Sequence, residues 1–539
     1  MKKVKILKDP IYGYINIPVS YMNGIVDTAS FQRLRRIIQT TYTPLYASAV
    51  HNRFVHSIGV FHLGEIACTQ LVKEIKKKAP NVMDVTSTKN VFLLACLLHD
   101  VGHAPFSHTG EKFYLDENRE YDSLHEELKS IVNCEEFSAD VPIEKSAAAA
   151  PHEIMSVIVG LKEYKKFFKD ASEREFFARC ITGYRYSKKS SETSLRNCFI
   201  SLLNSKINDV DKLDYLLRDA FMTGFNTVNI DYERLLTSLA LIHNETGFEL
   251  GYYKSAISVL ENVVYAHDSE RKWIQNHPIV LYECYILQHI ISNLSRKIKE
   301  KSGKKLFSIE SLSKEGQHFD EYLNVRLLCD DDIVCLMKNV FPNELSEEYF
   351  ERKNRRHPVW KSEAEYKAFF MEGFHQNEGM KHFEKAMEQA AKYLTKSTDS
   401  WVIDDRLIRK LEQEMEKLEQ MELDEATKKV QREQKQDIIK VMKCLKDYAD
   451  EKGVECSFVI LMASQFSSGF SKPDFSATNI LFKTVNGEKV APFGDIGCSL
   501  NGKETERGNF FYLFYKRKDT QRKVIDNAEI CKKLLKAFE

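Results

Sequence analysis

The chain has 539 residues, 43% hydrophobic and 29% charged, a length for roughly two to four packed units and an ordinary globular composition. Lys+Arg and Asp+Glu both number 78, so overall charge gives no argument for a nucleic-acid or membrane surface, although local basic patches stay open. The twelve cysteines form no CxxC pair and several (Cys96, Cys284, Cys335) sit in apolar runs; there is no signal-peptide core and no stretch of roughly 20 apolar residues. A reduced, cytoplasmic protein is expected, rather than a disulfide scaffold, a zinc finger or a membrane protein.

Residues 1–20 alternate apolar and polar side chains around DPIYGY, which predicts a short strand or hairpin. From Asp27 the period becomes helical: Phe31, Leu34, Ile37 and Ile38 recur at helical spacing behind Asp27 or Thr28 as N-cap. The same period runs through 60–75, 91–98, 154–168, 198–217 and 257–298, so a mainly α core is expected over 1–300. Within it, 109–150 is acidic and Ser/Ala-rich and reads as a long loop or insertion. A helical extension is expected over 301–452; in 404–450 Leu407, Leu411, Met415, Leu418 and Met421 predict one long charged amphipathic helix, favoured over a coiled-coil contact. Beyond Gly453, the runs CSFVILMASQF, ATNILFKTV and NFFYLFYKR, separated by NGEK and NGKE turns, predict a small β-rich α/β module over 453–539.

Eight of the 16 histidines fall between positions 51 and 152, and in a definite setting. HNRFVHSIGV carries His51, Arg53 and His56; VFLLACLLHDVGHAPFSH carries His99–Asp100, His103 and His108; PHEIMS carries His152; INDVDKLDYLLRD carries Asp209, Asp211, Lys212, Tyr215 and Asp219. Adjacent residues diverge by about 100° in mid-helix, but at a helix end broken by glycine a His-Asp pair can turn toward one ion. A lone HD dipeptide is common by chance, and a single histidine on an apolar face is usually a core residue. Here many ionisable groups border apolar helices, and burying them is costly unless they are paired or ligated. Two histidines and two aspartates suit Mn, Fe, Mg, Zn or Co, leave positions for water and a phosphate oxygen, and so point to metal-dependent phosphohydrolysis. His51, His62 and His125 carry no such weight.

The string HNRFVHS…HDVGHAPFSH…HEIMS…NDVDKLDY…RD closely resembles the HD-domain deoxynucleoside triphosphate triphosphohydrolases, the family of the bacterial dGTPases and the vertebrate sterile-alpha-motif/HD-domain enzyme. The likeness runs from about residue 5 to about 225 and more loosely to the C-terminus; since it begins almost at residue 1, no sterile-alpha-motif domain is expected. It implies an HD-superfamily helical core and hydrolysis of a dNTP to deoxynucleoside and triphosphate by attack at the α-phosphorus. His56, His99, Asp100 and Asp211 would hold a divalent metal; Arg53, His103, Lys212 and Tyr215 would meet the phosphates, and Gln39 and Asp219 the nucleoside end. His108 would protonate the departing 5′-oxygen, with His152, Glu111 and His103 completing the catalytic shell. KILKDPIYGY and DTASFQRLRRIIQ resemble segments that bind an activating guanine nucleotide between subunits. Lys5 would meet its phosphates, and Asp27, Gln32 and Arg35 would read its base. The alternative is a packing helix with its arginines in solvent.

The resemblance also implies a GTP or dNTP activator and a homo-oligomer, tetramer or hexamer, with single-stranded nucleic acid as a further candidate partner. The role implied is lowering of dNTP pools, for balance or for defence against phage or virus. Thr40, His267 and Gln275 stand where the family carries a bulky sugar gate, a phosphate-binding Arg and a sugar-stacking Tyr, with Arg271 as a candidate substitute, so base and sugar preference stay open. Two other classes share part of this pattern: an HD-type phosphodiesterase or nuclease acting on cyclic nucleotides or nucleic-acid ends, which does not need Arg53, Lys212 and Tyr215, and a nucleotide-sensing scaffold, which has no use for His108.

Overall fold

The computed structural model describes residues 4–538 apart from 116–119, 207, 226–228, 246, 340–341, 353–354, 371–376, 398–399, 419, 421–423, 454–456, 464–467, 469, 471–475, 485–486, 497–509 and 517–524. The described chain is mainly helical, and none of its helices is long and apolar enough to cross a membrane. It packs into two units, Met1–Glu270 with Ser295–Cys335 and Ser467–Glu504, and Arg271–Leu294 with Leu336–Phe466 and Thr505–Glu539. These groupings interleave along the chain, where the sequence reading drew three consecutive segments.

The first unit begins with the expected hairpin, β1 (Val4–Asp9) against β2 (Gly13–Pro18), closed by the Asp9 carboxylate accepting from the Ile11 and Tyr12 amides. Among the described residues the longer helices that follow are α1 (Arg53–Lys78), α2 (Val85–Leu98), α3 (Asp122–Val132), α4 (Pro151–Glu163), α5 (Ala171–Thr182), α6 (Ser191–Leu203), α7 (Val210–Thr223) and α8 (Ile257–Glu270). Their starts are capped as the residue types demand. Asn52, Asp84, Asp170, Ser190 and Asp209 accept amide hydrogens in the first turns of α1, α2, α5, α6 and α7. The predicted helix over 198–217 is therefore two, because the Asp209 cap restarts the chain after Asn204. A four-stranded sheet takes the order β6-β5-β4-β3, from β3 (Leu239–Asn244), β4 (Gly247–Tyr253), β5 (Asn479–Thr484) and β6 (Gly487–Pro492). Only the β4–β5 pairing is parallel.

The loop expected at 109–150 is largely helical. Leu124, Leu128 and Val132 recur every four residues and are buried along α3, which packs on α4. A further turn, Glu135–Asp140, buries Phe137, and Asp140 meets the fully buried Arg179 of α5 at 2.9 Å. Its acidic, alanine-rich composition concealed a short amphipathic period.

In the second unit the chain begins α9 (Pro278–Ser302), then forms α10 (Asn377–Lys396), α11 (Asp405–Leu418), α12 (Glu425–Glu451) and α13 (Asn527–Lys536). The single helix expected over 404–450 is instead two: Lys435–Glu414, Lys443–Glu412 and Lys446–Asp405 pair in descending register, so α11 and α12 run antiparallel. Asp424 caps α12 by accepting from Thr427, and Met421 lies outside the described residues. The strand Phe510–Tyr515 is buried along its whole length between Val459–Ala463 and His357–Pro358. Of the three β-rich runs read in the sequence, two meet here and the third is β5 of the first unit.

Candidate active site

α1, α2 and α7 converge on one cluster. His56 lies a turn inside α1, His99 and Asp100 follow the last residue of α2, and Asp211 opens α7. His56 Nε2 stands 2.9 Å from Asp211 Oδ1 and 3.2 Å from His99 Nε2. Asp100 approaches both imidazoles, Oδ2 at 3.7 Å from His56 and Oδ1 at 3.5 Å from His99, and Asp211 Oδ1 is 3.6 Å from His99 Nε2. The outer nitrogens fix the tautomers: His56 Nδ1 faces Asp214 Oδ2 at 2.7 Å and His99 Nδ1 faces the Cys96 carbonyl at 3.0 Å. Both partners can only accept, so each Nδ1 carries a proton, and with a cation bound in place of a second proton each Nε2 would direct a lone pair inward.

Two imidazole nitrogens and two carboxylates, with His56, His99 and Asp100 buried and Asp211 open to solvent on one side, favour a cation between them. Burial works against protonation of His56, yet hydrogen bonds and charge from Asp211, Asp214 and Asp100 hold it up to about 9. Despite burial, His56 and His99 keep Asp211 well below the usual carboxylate range. His56, His99 and Asp211 each offer an atom within 4.8 Å of the others, so the donor set fits a divalent ion.

The support of this cluster lies outside the motif residues named from the sequence. Besides His56, Asp214 accepts two hydrogen bonds from Arg218, both 2.9 Å, and one from the Tyr12 hydroxyl at 2.7 Å; Arg218 also reaches Asp9 at 3.0 Å. Buried charges are thus linked from the β1–β2 turn to the imidazole. Gly59 makes this geometry feasible. A Cβ there would lie 1.9 Å from Asp214 Oδ1 and 2.5 Å from an Arg218 nitrogen. The readable signal was spacing: Asp211, Asp214, Arg218 and Asp219 share one face of α7 at i, i+3, i+7 and i+8.

A second cluster gathers His103, His108, Glu111 and His152. His103 and His152 stack with ring centroids 4.3 Å apart, and His108 lies edge-on to both at 5.2 Å. Glu111 faces His152 Nδ1 at 2.5 Å and His108 Nδ1 at 3.4 Å. Burial opposes a charge on His152, but Glu111 overcomes it and holds the imidazole up to about 9. His103 is the reverse: fully buried, with Arg53, His152 and His108 nearby, its pKa is driven well below 6.5, and neither ring nitrogen has a hydrogen-bond partner among the described residues. His108 is mostly exposed.

The turn carrying His108 is strained and held from outside. Phe106 and Ser107 adopt φ of 56° and 54°, a left-handed backbone unfavourable for such residues. Asp330 accepts from the Phe106 amide at 2.6 Å and the Ile38 amide at 2.9 Å, and burial lifts its carboxyl to about 7. Arg33, one of the arginines allowed to solvent in the sequence reading, is buried and donates to the carbonyls of Val101, His103 and Leu328.

Of the other expected residues, Arg53 donates to Asp100 at 2.9 Å, Ser107 Oγ at 2.9 Å and the Gln39 carbonyl at 3.3 Å, and so sits between the two clusters. Lys212 donates to Asp209 and the Ser205 carbonyl, both 2.6 Å. Tyr215 is half-buried beside them. Asp219 pairs at 2.7 Å with buried His51, given little weight in the sequence. Gln39 is buried, and neither its Oε1 nor the Thr40 hydroxyl has a hydrogen-bond partner among the described residues. Lys5 and Asp27 lie 3.9 Å apart on the surface; Gln32 donates to the Val26 carbonyl and accepts from Arg35, whose guanidinium covers the Phe54 ring. The four expected activator residues thus fall on one patch.

Residues 53–177 match the HD domain family. Over 239 residues, 44% of each chain, the protein is 31% identical to the uncharacterized protein YwfO of Bacillus subtilis. It is 32% identical to the deoxynucleoside triphosphate triphosphohydrolase SAMHD1 of Danio rerio over 43% of this chain and 36% of that one. The fold is similar to that of a phosphohydrolase from Bacteroides thetaiotaomicron, with a TM-score of 0.55 at 20% identity, covering 95% of this chain and 100% of that one. The chain spans about half or less of the length of the curated relatives it matches. The chain thus carries an HD-domain segment over residues 53–177. Over less than half of its length it is similar, at 31–33% identity, to proteins named deoxynucleoside triphosphate triphosphohydrolase SAMHD1 or its homolog.

Proposed function

We propose that the protein is a divalent-metal-dependent deoxynucleoside triphosphate triphosphohydrolase. The observation that carries this reading is the pair of clusters bridged by Arg53: a cation cradle and, beside it, three imidazoles with a carboxylate. A divalent ion held by His56, His99, Asp100 and Asp211 would neutralise phosphoryl charge and make water acidic enough to attack. Arg53 and Lys212 supply fixed cations for the polyphosphate, and Tyr215 a hydroxyl donor. Lys212 would exchange its Asp209 and Ser205 partners for phosphate oxygens. His108, exposed and joined to Glu111, would deliver a proton to the departing 5′-oxygen, while His152 would hold Glu111 ionised. Neutral His103 offers a ring nitrogen as donor to a phosphate oxygen. Asp219, oriented by His51, and Gln39 would meet the nucleoside end.

Lys5, Asp27, Gln32 and Arg35 offer an ammonium, a carboxylate, an amide and a guanidinium, a set that can satisfy a guanine nucleotide. The proposal includes activation there by GTP or a dNTP within a homo-oligomer, with depletion of dNTP pools as the consequence. The test is incubation with each dNTP and each rNTP in H2(18)O, with and without GTP, followed by mass analysis. Attack at the α-phosphorus releases triphosphate carrying the label and unlabelled deoxynucleoside. Release of monophosphate and pyrophosphate, or label in the nucleoside, would overturn the assignment.

A further inference from the structure

A cavity of about 390 Å³ opens in the first unit among α6, β4 and the chain entering β5, apart from both histidine clusters. That volume suits a small ligand of nucleotide size. Arg185, Lys188 and Lys189 stand at its rim, all exposed, with Arg185 reaching Ser201 Oγ at 2.8 Å. Among the described lining residues the one carboxylate is Glu249, and it already accepts from Asn479 Nδ2 at 2.8 Å. The N-terminal turn of α6, carrying Thr193 and Ser194, borders the same rim and adds the positive end of a 13-residue helix.

The interior differs from the rim. Asn208 and Thr478 are 7% and 6% exposed, and both line the cavity. The Asn208 Oδ1 and the Thr478 hydroxyl have no hydrogen-bond partner among the described residues. Asn208 Nδ2 is engaged with the Tyr252 hydroxyl at 3.3 Å, so the amide is oriented and its oxygen is the free end. An unpaired buried acceptor is costly, and a polar group delivered by a ligand would relieve it. A cationic mouth above a deep amide oxygen and a hydroxyl complements one chemistry: an anionic phosphate at one end and a hydrogen-bond donor, such as a ribose hydroxyl or exocyclic amine, at the other.

We propose that this cavity is a second small-molecule site, taking a nucleoside monophosphate or a phosphate ester of similar size, with its phosphate toward Arg185 and Lys189 and its donor toward Asn208 and Thr478. Such a ligand would lie against the loop that feeds the HD site. Ser205, also in the lining, gives its carbonyl to Lys212, and Asn208 precedes the Asp209 cap of α7. Occupancy therefore bears on how firmly Lys212 is tethered, a consequence that rests on the hydrolase reading above.

The test is isothermal titration of the full chain with AMP, GMP and inorganic phosphate, comparing wild type with the Arg185→Glu/Lys189→Glu double variant and with Thr478→Val. AMP or GMP is expected to bind wild type and to weaken about tenfold or more in the double variant, whose charges lie on the surface. Thr478→Val, near-isosteric, is expected to weaken the nucleotide but not phosphate. Each variant is first checked for an unchanged melting temperature and unchanged dNTP hydrolysis without added monophosphate. Equal nucleotide binding by wild type and both variants, or no binding by any of the three probes, would overturn the proposal, as would binding of a 5′-phosphorylated oligonucleotide, titrated in parallel, in place of the mononucleotides. The binding result stands or falls without reference to hydrolysis, so its failure is distinguishable from failure of the dNTPase assignment.

Discussion

In the cluster of His56 and His99, each imidazole is pinned at its outer nitrogen, one to Asp214 and one to the Cys96 carbonyl, so with a cation bound both inner nitrogens would aim lone pairs at one point. In the cluster of His103, His108 and His152, the rings stack or meet edge-on, and Glu111 is the hinge between two of them. The first arrangement has carboxylates on both sides and calls for a positive charge to be brought in. The second keeps one imidazole neutral, holds one charged and leaves one exposed. The same side chain therefore serves two chemistries, and the hydrogen bond at the outer nitrogen decides which.

The largest effects should follow from breaking the first cluster. His99→Ala or Asp211→Ala is expected to abolish turnover, a loss of about 10³-fold or more in kcat, because the charge-neutralising ion is lost with its ligand. Turnover near the wild-type rate would separate the cradle from catalysis. His108→Ala should leave metal content unchanged and lower kcat by about 10² to 10⁴-fold, the worth of a positioned proton donor. A more acidic leaving group, as in a nitrophenyl phosphodiester, should narrow that loss.

A smaller effect separates ligands from their supports. Asp214→Asn keeps the shape but weakens orientation of His56, and metal affinity should fall about 10 to 100-fold with protein of unchanged helicity. Titration against a chelating dye measures it; unchanged affinity would make Asp214 a packing residue only. The smallest effect is a pH slope. His152 sits at about 9 in the folded chain against an ordinary 6.5, so the native state holds the extra proton between those values. That stabilisation is whole below about 6.5 and is lost as pH rises through about 9. Glu111→Gln removes its cause, so the drop in Tm between pH about 7 and about 9 should be shallower than in wild type.

Much of this was legible because the chemistry is local in sequence. His56, His99–Asp100 and Asp211 each sit at a helix start or end marked by Asn52, Gly102 or Asp209. The α fold followed from period alone. Asp214 was legible only as a neighbour of Asp211 and Arg218 on one face of α7, not as a support, because its partners Tyr12 and His56 come from other elements. Its role depends on Gly59 of another helix letting the carboxylate in. Arg33 and Asp330 were hidden for a similar reason, each meeting partners from distant segments of the chain. At 109–150, acidic composition outweighed a four-residue apolar repeat. Between α11 and α12 a continuous heptad-like period masked a reversal whose evidence is the cross-helix ion pairs.

The most direct test is metal analysis of the purified full chain beside three variants, His56→Ala, Asp211→Ala and His152→Ala. One divalent ion per chain is expected in wild type and in His152→Ala, and little in the other two. An ion retained by Asp211→Ala but lost with His152→Ala would place the cation in the other cluster and contradict the division of labour drawn between them.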